Sequence, residues 1–334
     1  MLGLSPSLLT KETGVFAITA TGAHPDAPLD GLALGEHPDP TPPQGWEVVS
    51  VKAAGLNHHD VWTLRGVGIS ADRFPVVLGC DAAGVDANGN RVVVHAVIPD
   101  PNSSDETMGD GRSILSEVYD GTFADKVMVP SRNLIPLPDS ISFEDAACLP
   151  TAWLTAYRML FVRGELKPGH RVLIQGAGGG VSTAAIMMAR AAGMHVTVTS
   201  RSEEKLAKAL EIGAHEAVAS GARLKNKVDG VIETVGEATW GHSLKALESG
   251  GVIVVSGGTS GMNPPADLAR VFFKQLRVVG STMGTRGEFV QMLTLLDATG
   301  MRPLIDTVMP MTDARDGFAK MVDGDVFGKI VLTR

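Results

Sequence analysis

The chain has 334 residues, 44% hydrophobic and 20% charged, enough for about two domains with separate cores. Its formal charge of −8 argues against nucleic acid or an anionic membrane as partner, and no run approaches the ~18 apolar residues of a membrane span. Two cysteines, Cys80 and Cys148, cannot make a disulfide framework or a cysteine-rich zinc lobe.

The first residues, MLGLSPSLLTKETG, lack the basic start and long apolar run of a secretory signal, so a cytoplasmic setting is expected. Over 1–138 the chain reads as short β-rich runs between turn residues: VFAITATG, GWEVVSVKAAG, NRVVVHAVI and DKVMVP. Alternation in WEVVSVKA indicates a half-buried strand, and PDPTPPQG is too rich in proline for anything but a loop. Residues 99–113 are polar and expected to form an exposed excursion. This part is expected to be a mostly antiparallel β-domain.

From 139 to 282 the pattern changes. Apolar runs RVLIQG, HVTVTS, DGVIETVG, GVIVVSGG and RVVGST alternate with expected helices at 181–192, 203–212, 238–248 and 264–275. Strands apolar on both faces, separated by helices, predict a doubly wound parallel sheet in an α/β domain. In the first helix Val181, Ala184, Ala185, Met188, Ala189 and Ala192 share one face, and Gly193 and Gly213 stand where helices end. Residues 283–334 add a helix at 288–299 and a last strand, GKIVLTR.

RVLIQGAGGGVSTAA carries glycines at 176, 178, 179 and 180 between a strand and a helix. Absent side chains let backbone N–H groups, up to Val181, approach a pyrophosphate at the helix N-terminus. A tight turn alone also needs glycine, but the βα units that follow favour a dinucleotide. The second strand ends in Ser200, Arg201 and Ser202, with Lys205 one turn on. An acid would repel a 2′-phosphate, whereas a guanidinium and hydroxyls can hold it, so NADP (NADPH) is favoured over NAD. In the other reading Arg201 is a solvated surface residue and Ser202 only an N-cap.

These motifs resemble the medium-chain dehydrogenase/reductase superfamily, and within it the zinc-free quinone oxidoreductase-like branch. Nearly the whole chain takes part, through AAGLNHHD, FPVVLGCDAAGV, GTFADKVMVP, AACLPTAWLTAYRML, LKPGHRVLIQGAGGGVSTAA, VDGVIETVG and GKIVL. The resemblance implies a GroES-like β-domain, completed by 283–334, beside a Rossmann domain over 139–282, with the active site between them. It places Asn57 near the nicotinamide and Thr155 near phosphates or ribose. Thr234 and Val235 of ETVG, with Gly257, Gly258 and Thr259 of GGTSG, would edge the cofactor, and Lys329 would sit near the cleft. Ser182 replaces the usual third glycine. A homodimer is also implied, paired through the edge strand near 277–282.

The departures concern metal and proton. Where the zinc enzymes have Cys, His-Glu and Cys, this chain has Asn57, Cys80–Asp81 and Ala152, so fewer than three ligands remain and no metal is expected. His58, His59 and Asp60 are adjacent, but neighbours on an extended segment point opposite ways, against a shared ion. Trp62 and Gly68 stand where the quinone oxidoreductases tend to have tyrosines. His59 falls where the zinc enzymes relay a proton, as either a general acid or a loop histidine without a chemical role. NADPH-dependent hydride transfer to a quinone or α,β-unsaturated carbonyl is therefore expected, with Asn57, His58 or His59 as donors. An alcohol or aldehyde dehydrogenase-like activity and a cofactor-binding protein without turnover are the alternatives. A Rossmann-like methyltransferase would leave the β-domain unexplained.

Overall fold

In the computed structural model, which describes residues 14–100, 103 and 105–334, six strands from the middle of the chain lie parallel. Their spatial order is Glu216–Ala219, His195–Ser200, Arg171–Ile174, Val228–Glu233, Leu247–Val255 and Arg277–Gly280. By sequence rank this is 3-2-1-4-5-6, the dinucleotide-binding arrangement, with its switch point beside the first strand. Val172, Leu173, Val196, Val198, Val231 and Ile253 are all buried, because helices cover both faces. Each such side chain contributes roughly 1.5–3 kcal/mol by leaving water. Helix Gly180–Ala191 lays Ala184, Ala185, Met188 and Ala189 on the sheet, and its small residues let backbone approach backbone.

Strand Glu216–Ala219 was not expected. At the sheet edge three of its residues are partly buried and Ala219 is exposed, and its apolar run of three residues is too short to mark a strand. The helix expected over 264–275 is confined to Leu268–Phe273, since Pro264 and Pro265 precede it and Asp267 caps it, accepting from Arg270 N at 3.2 Å.

Strands Trp46–Gly55, Asp81–Val85, Arg91–Val94, Lys126–Pro130 and Leu134–Pro136 form a second sheet. The tail completes it: Lys329–Thr333 pairs antiparallel with Trp46–Gly55, placing Val331 opposite Gly55, and Ile305–Pro310 follows outside. This is the GroES-like domain. Ile305–Pro310 and helix Ala314–Asp323 lie in tail sequence where only one helix and one strand were expected. Phe318 of that helix is fully buried against Phe123, which ties the tail to the first domain.

Segment 99–113 is held rather than free. Asp105 pairs with Arg158 at 3.2 Å and Glu106 with Arg132 at 2.8 Å, while Ser113–Ile114 pairs with Val97–Ile98. The expectation for the leading residues falls on 1–13, outside the described residues, as do 101, 102 and 104 of this segment. No helix among the described residues is long and apolar enough to cross a membrane.

Candidate functional site

Helix His58–Leu64 begins where the chain leaves Trp46–Gly55, and its start is fixed by one carboxylate. Asp60 Oδ2 accepts from Asn57 N at 2.8 Å, and its Oδ1 accepts from Gly79 N at 3.1 Å. Burial pushes the Asp60 carboxyl up to about 6; the charge of His59 opposes this and Asp81 adds to it. His58 and His59 are therefore successive helical residues, roughly 100° apart, and not neighbours on an extended segment. That corrects the expected geometry of the pair.

His59 turns inward. One ring nitrogen lies 3.4 Å from Cys80 Sγ and the other 3.4 Å from Glu117 Oε1. Glu117 is set in turn by Ile114 N at 3.2 Å and Ser113 Oγ at 3.3 Å. Burial opposes ionisation of Glu117, but the bonds from His59, Ile114 and Ser113 hold its carboxyl below the usual range. His58 stays exposed. The protein around its ring, then the charges of Lys329, Arg65 and Lys205, depress its pKa, so it favours the neutral form.

Between the two sheets, Lys329 reaches under the helix. Its ammonium donates to Asn57 Oδ1 at 2.6 Å and Leu56 O at 2.8 Å, and lies 3.3 Å from Asp81 Oδ2. Asn57 Nδ2 donates to Asp81 Oδ2 at 3.0 Å and Gly55 O at 3.1 Å, and Thr151 donates to Asp81 Oδ1 at 2.5 Å. Lys329 is 3% exposed and Asp81 0%, so each charge depends on the other. The lysine stem also abuts the glycine turn: a Cβ on Gly180 would sit 2.8 Å from Lys329 Cδ and 3.1 Å from Ala152 Cβ. Asn57 and Lys329, far apart in sequence, are thus direct partners beside that turn.

The turn itself runs through Gly176 and Gly178, whose φ of +78° and +112° favour glycine, to Gly179 at the helix N-cap. Ser182 bonds Gly179 O at 3.3 Å, so the missing third glycine does not disturb the helix start. N–H groups of the first turn, including Gly180 and Val181, have no intrahelical acceptor. Val235 packs against Gly176, and Ser260 N to Val235 O (2.8 Å) joins the loop containing Thr234 to that containing Gly257, Gly258 and Thr259. Buried Glu233 fixes this wall by accepting from Val235 N at 2.9 Å and Gly236 N at 3.0 Å. Thr155 is buried in the helical run one turn after Thr151, the partner of Asp81. Strand, glycine turn and open helix N-terminus at the switch point fit a dinucleotide.

At the end of the second strand, Ser200 Oγ accepts from Ser202 N at 3.1 Å, and Ser202 Oγ caps the next helix through Lys205 N at 3.3 Å. Lys205 Nζ donates to Gly324 O at 2.7 Å, and Arg201 is exposed with no ion pair among the described residues.

The ligand set that the zinc enzymes use is not available here. Asn57 and Asp81 are joined to an ammonium and Ala152 offers no ligand, which leaves Cys80 alone of those positions, short of the three protein ligands a catalytic zinc needs. Tyr119 packs on Trp46 and Tyr157 bonds Gln291, so both tyrosines have partners of their own. Sequence reasoning missed Glu117, Thr151 and Glu233. Nothing in a polar loop marks Glu117, whereas Glu233 in ETVG could have been found as an acid closing an apolar strand.

The zinc-binding dehydrogenase family matches residues 180–298, and the alcohol dehydrogenase GroES-like domain matches 43–139. A zinc-type alcohol dehydrogenase-like protein of Schizosaccharomyces pombe is 33% identical, covering 86% of this chain and 90% of its own. An acryloyl-coenzyme A reductase of Sulfurisphaera tokodaii is 29% identical over 91% of this chain and 97% of its own. Among solved structures, an NAD-dependent alcohol dehydrogenase superposes with a TM-score of 0.89 at 32% identity, covering 96% of this chain and 99% of that one.

Proposed function

The chain belongs to the medium-chain dehydrogenase/reductase superfamily and is an NAD(P)H-dependent oxidoreductase; we propose that it uses NADPH, without zinc, to reduce a quinone or an α,β-unsaturated carbonyl compound. The observation that carries the metal-free part is the Lys329 ammonium, bonded to Asn57 and facing Asp81. Without a Lewis acid, alcohol oxidation loses its main means of stabilising an alkoxide. A conjugated acceptor needs less help, because the charge formed on its oxygen is delocalised and takes one proton. The similarity to an acryloyl-coenzyme A reductase, named for an α,β-unsaturated thioester, supports this class.

Bound NADPH would supply the hydride. Gly176, Gly178, Gly179, Gly180 and Val181 would hold its pyrophosphate, and Ser200, Arg201, Ser202 and Lys205 its 2′-phosphate. The Lys329–Asn57–Asp81 floor keeps Asn57 in one orientation and carries a fixed positive charge at the base of the cleft. His59, steadied by Glu117, is the proposed source of the proton, and His58 borders the substrate. Exposed Leu268, Phe272, Phe273 and Val278 beside the edge strand Arg277–Gly280 support a homodimer. Two buried free cysteines agree with a cytoplasmic setting.

The test is steady-state NADPH oxidation with a benzoquinone or a simple enone, before and after chelator treatment. Acceptor-dependent consumption that survives chelation is expected. Turnover that requires added metal, or that occurs only with alcohols and the oxidised cofactor, overturns the proposal. The alcohol dehydrogenase alternative rests on the similar structure bearing that name.

A further inference from the structure

We propose that Cys80, His59 and Asp60 form a binding site for a thiophilic divalent metal ion such as zinc, and that a metal bound there withdraws His59 from proton transfer. The site is separate from the Asn57–Asp81–Lys329 floor, which an ammonium already fills. Only the inhibitory consequence rests on the proposed role of His59; the binding does not.

Among the described residues, this is the group of three whose ligand atoms lie together, all within 4.8 Å of one another. His59 Nδ1 and Cys80 Sγ are 3.4 Å apart. A tetrahedral zinc with ordinary zinc–sulfur and zinc–nitrogen distances holds its ligands about 3.6 Å apart, so this pair needs little rearrangement. Asp60 must approach further. Each of its oxygens accepts one backbone N–H, from Gly79 or Asn57, but a carboxylate oxygen retains a second lone pair.

An independent observation points the same way. The other nitrogen of His59, Nε2, faces the carboxylate of Glu117 at 3.4 Å. Histidines that bind metals regularly donate their second ring N–H to a carboxylate, which fixes the tautomer and strengthens the ligand. Here that partner is in place and anchored by Ser113 and Ile114. One thiolate, one imidazole and one carboxylate make a donor set that favours zinc over magnesium or calcium. The His59 side chain is 17% exposed, which leaves a path of entry and a fourth position for water. On binding, the Cys80 thiol releases one proton to solvent as the metal–sulfur bond forms. With the metal on Nδ1, His59 cannot take up the second proton that makes it an acid, and its remaining N–H is held by Glu117.

The experiment is a cobalt(II) titration of the full chain after chelator treatment and dialysis. The proposal expects one equivalent to bind with a thiolate-to-cobalt charge-transfer band and tetrahedral ligand-field bands, both displaced by zinc. Cys80→Ser should abolish the charge-transfer band, whereas Cys148→Ser, which changes the other cysteine, should keep it. Glu117→Gln should weaken cobalt binding ~10–100-fold while leaving the spectrum tetrahedral. If Cys80→Ser does not fold, His59→Gln carries the test and should weaken binding and change the ligand-field bands. No band, octahedral bands without thiolate character, or a band lost with Cys148→Ser overturns the site. Zinc should also inhibit NADPH-dependent turnover over the same concentration range. Binding without inhibition overturns the withdrawal of His59, and an absence of turnover altogether counts against the proposed reaction, since the cobalt spectrum reads the site without it.

Discussion

The Lys329 ammonium lies 2.6 Å from Asn57 Oδ1, across 272 positions of sequence, and makes the last strand of the tail part of the cleft floor. Among the described residues it forms one ion pair, with fully buried Asp81 at 3.3 Å. Removing one member of a buried pair leaves the other uncompensated, at a cost of about 3–5 kcal/mol. Lys329→Met should lower unfolding stability on that scale in urea. Adding Asp81→Asn should recover much of the loss, and a double variant no better than the single would show that the pair is not coupled.

Cofactor choice should reside in Arg201. NADPH is expected to bind at least tenfold more tightly than NADH, in line with about 1.5–3 kcal/mol for a charge-assisted hydrogen bond. Arg201→Ala should remove most of that preference and leave NADH affinity nearly unchanged. Fluorescence titration with both cofactors measures this, and equal affinities in the unaltered protein would refute the assignment.

The proton prediction separates two adjacent residues. His59→Ala should lower kcat ~100-fold or more, the usual scale for acid–base catalysis, with little effect on NADPH affinity. His58→Ala should act mainly through KM for the acceptor, since His58 is exposed and held toward its neutral form. Should both leave kcat within about threefold, the proton comes from solvent.

Asp60 makes stability depend on pH with a defined sign. Its carboxyl is raised from 3.8 to about 6 in the folded chain, so the folded state binds the proton more tightly than the unfolded one. The stability this provides is complete below about pH 4 and is lost as pH rises through 6. The shift corresponds to about 3 kcal/mol. Asp60→Asn, which cannot titrate, should therefore be most destabilising relative to the parent at low pH, with the difference shrinking by up to that amount above pH 6. Parallel stability–pH curves for the two proteins would contradict the assignment.

The apolar surface beside the Rossmann edge strand gives a test of assembly. Phe273 is 78% exposed and Phe272 62%, an unusual cost for a monomer. Light scattering at micromolar concentration should find a dimer, and Phe273→Glu should shift it toward monomer without changing the fold measured by circular dichroism.

Local sequence determined a good deal here, because the signals that mark a Rossmann unit are short in range. An apolar strand, glycines at 176, 178, 179 and 180 and a small-residue helix state their conformation within one segment, and the parallel sheet follows from their repetition. Strand Glu216–Ala219 escaped because a short, half-exposed edge strand needs no long apolar run. The cleft was legible only as single residues: Asn57, His59, Cys80 and Lys329 stood out, but not who touches whom. Tertiary structure decided that Asn57 answers Lys329, that His59 turns to Cys80 and Glu117, and that Asp81 faces an ammonium. It also turned His58 and His59 from an extended pair into the first turn of a helix. The physical reason is one of range. Backbone conformation is largely set by nearest neighbours, whereas the partner of a buried charge is set by whichever distant segment the folded core brings against it.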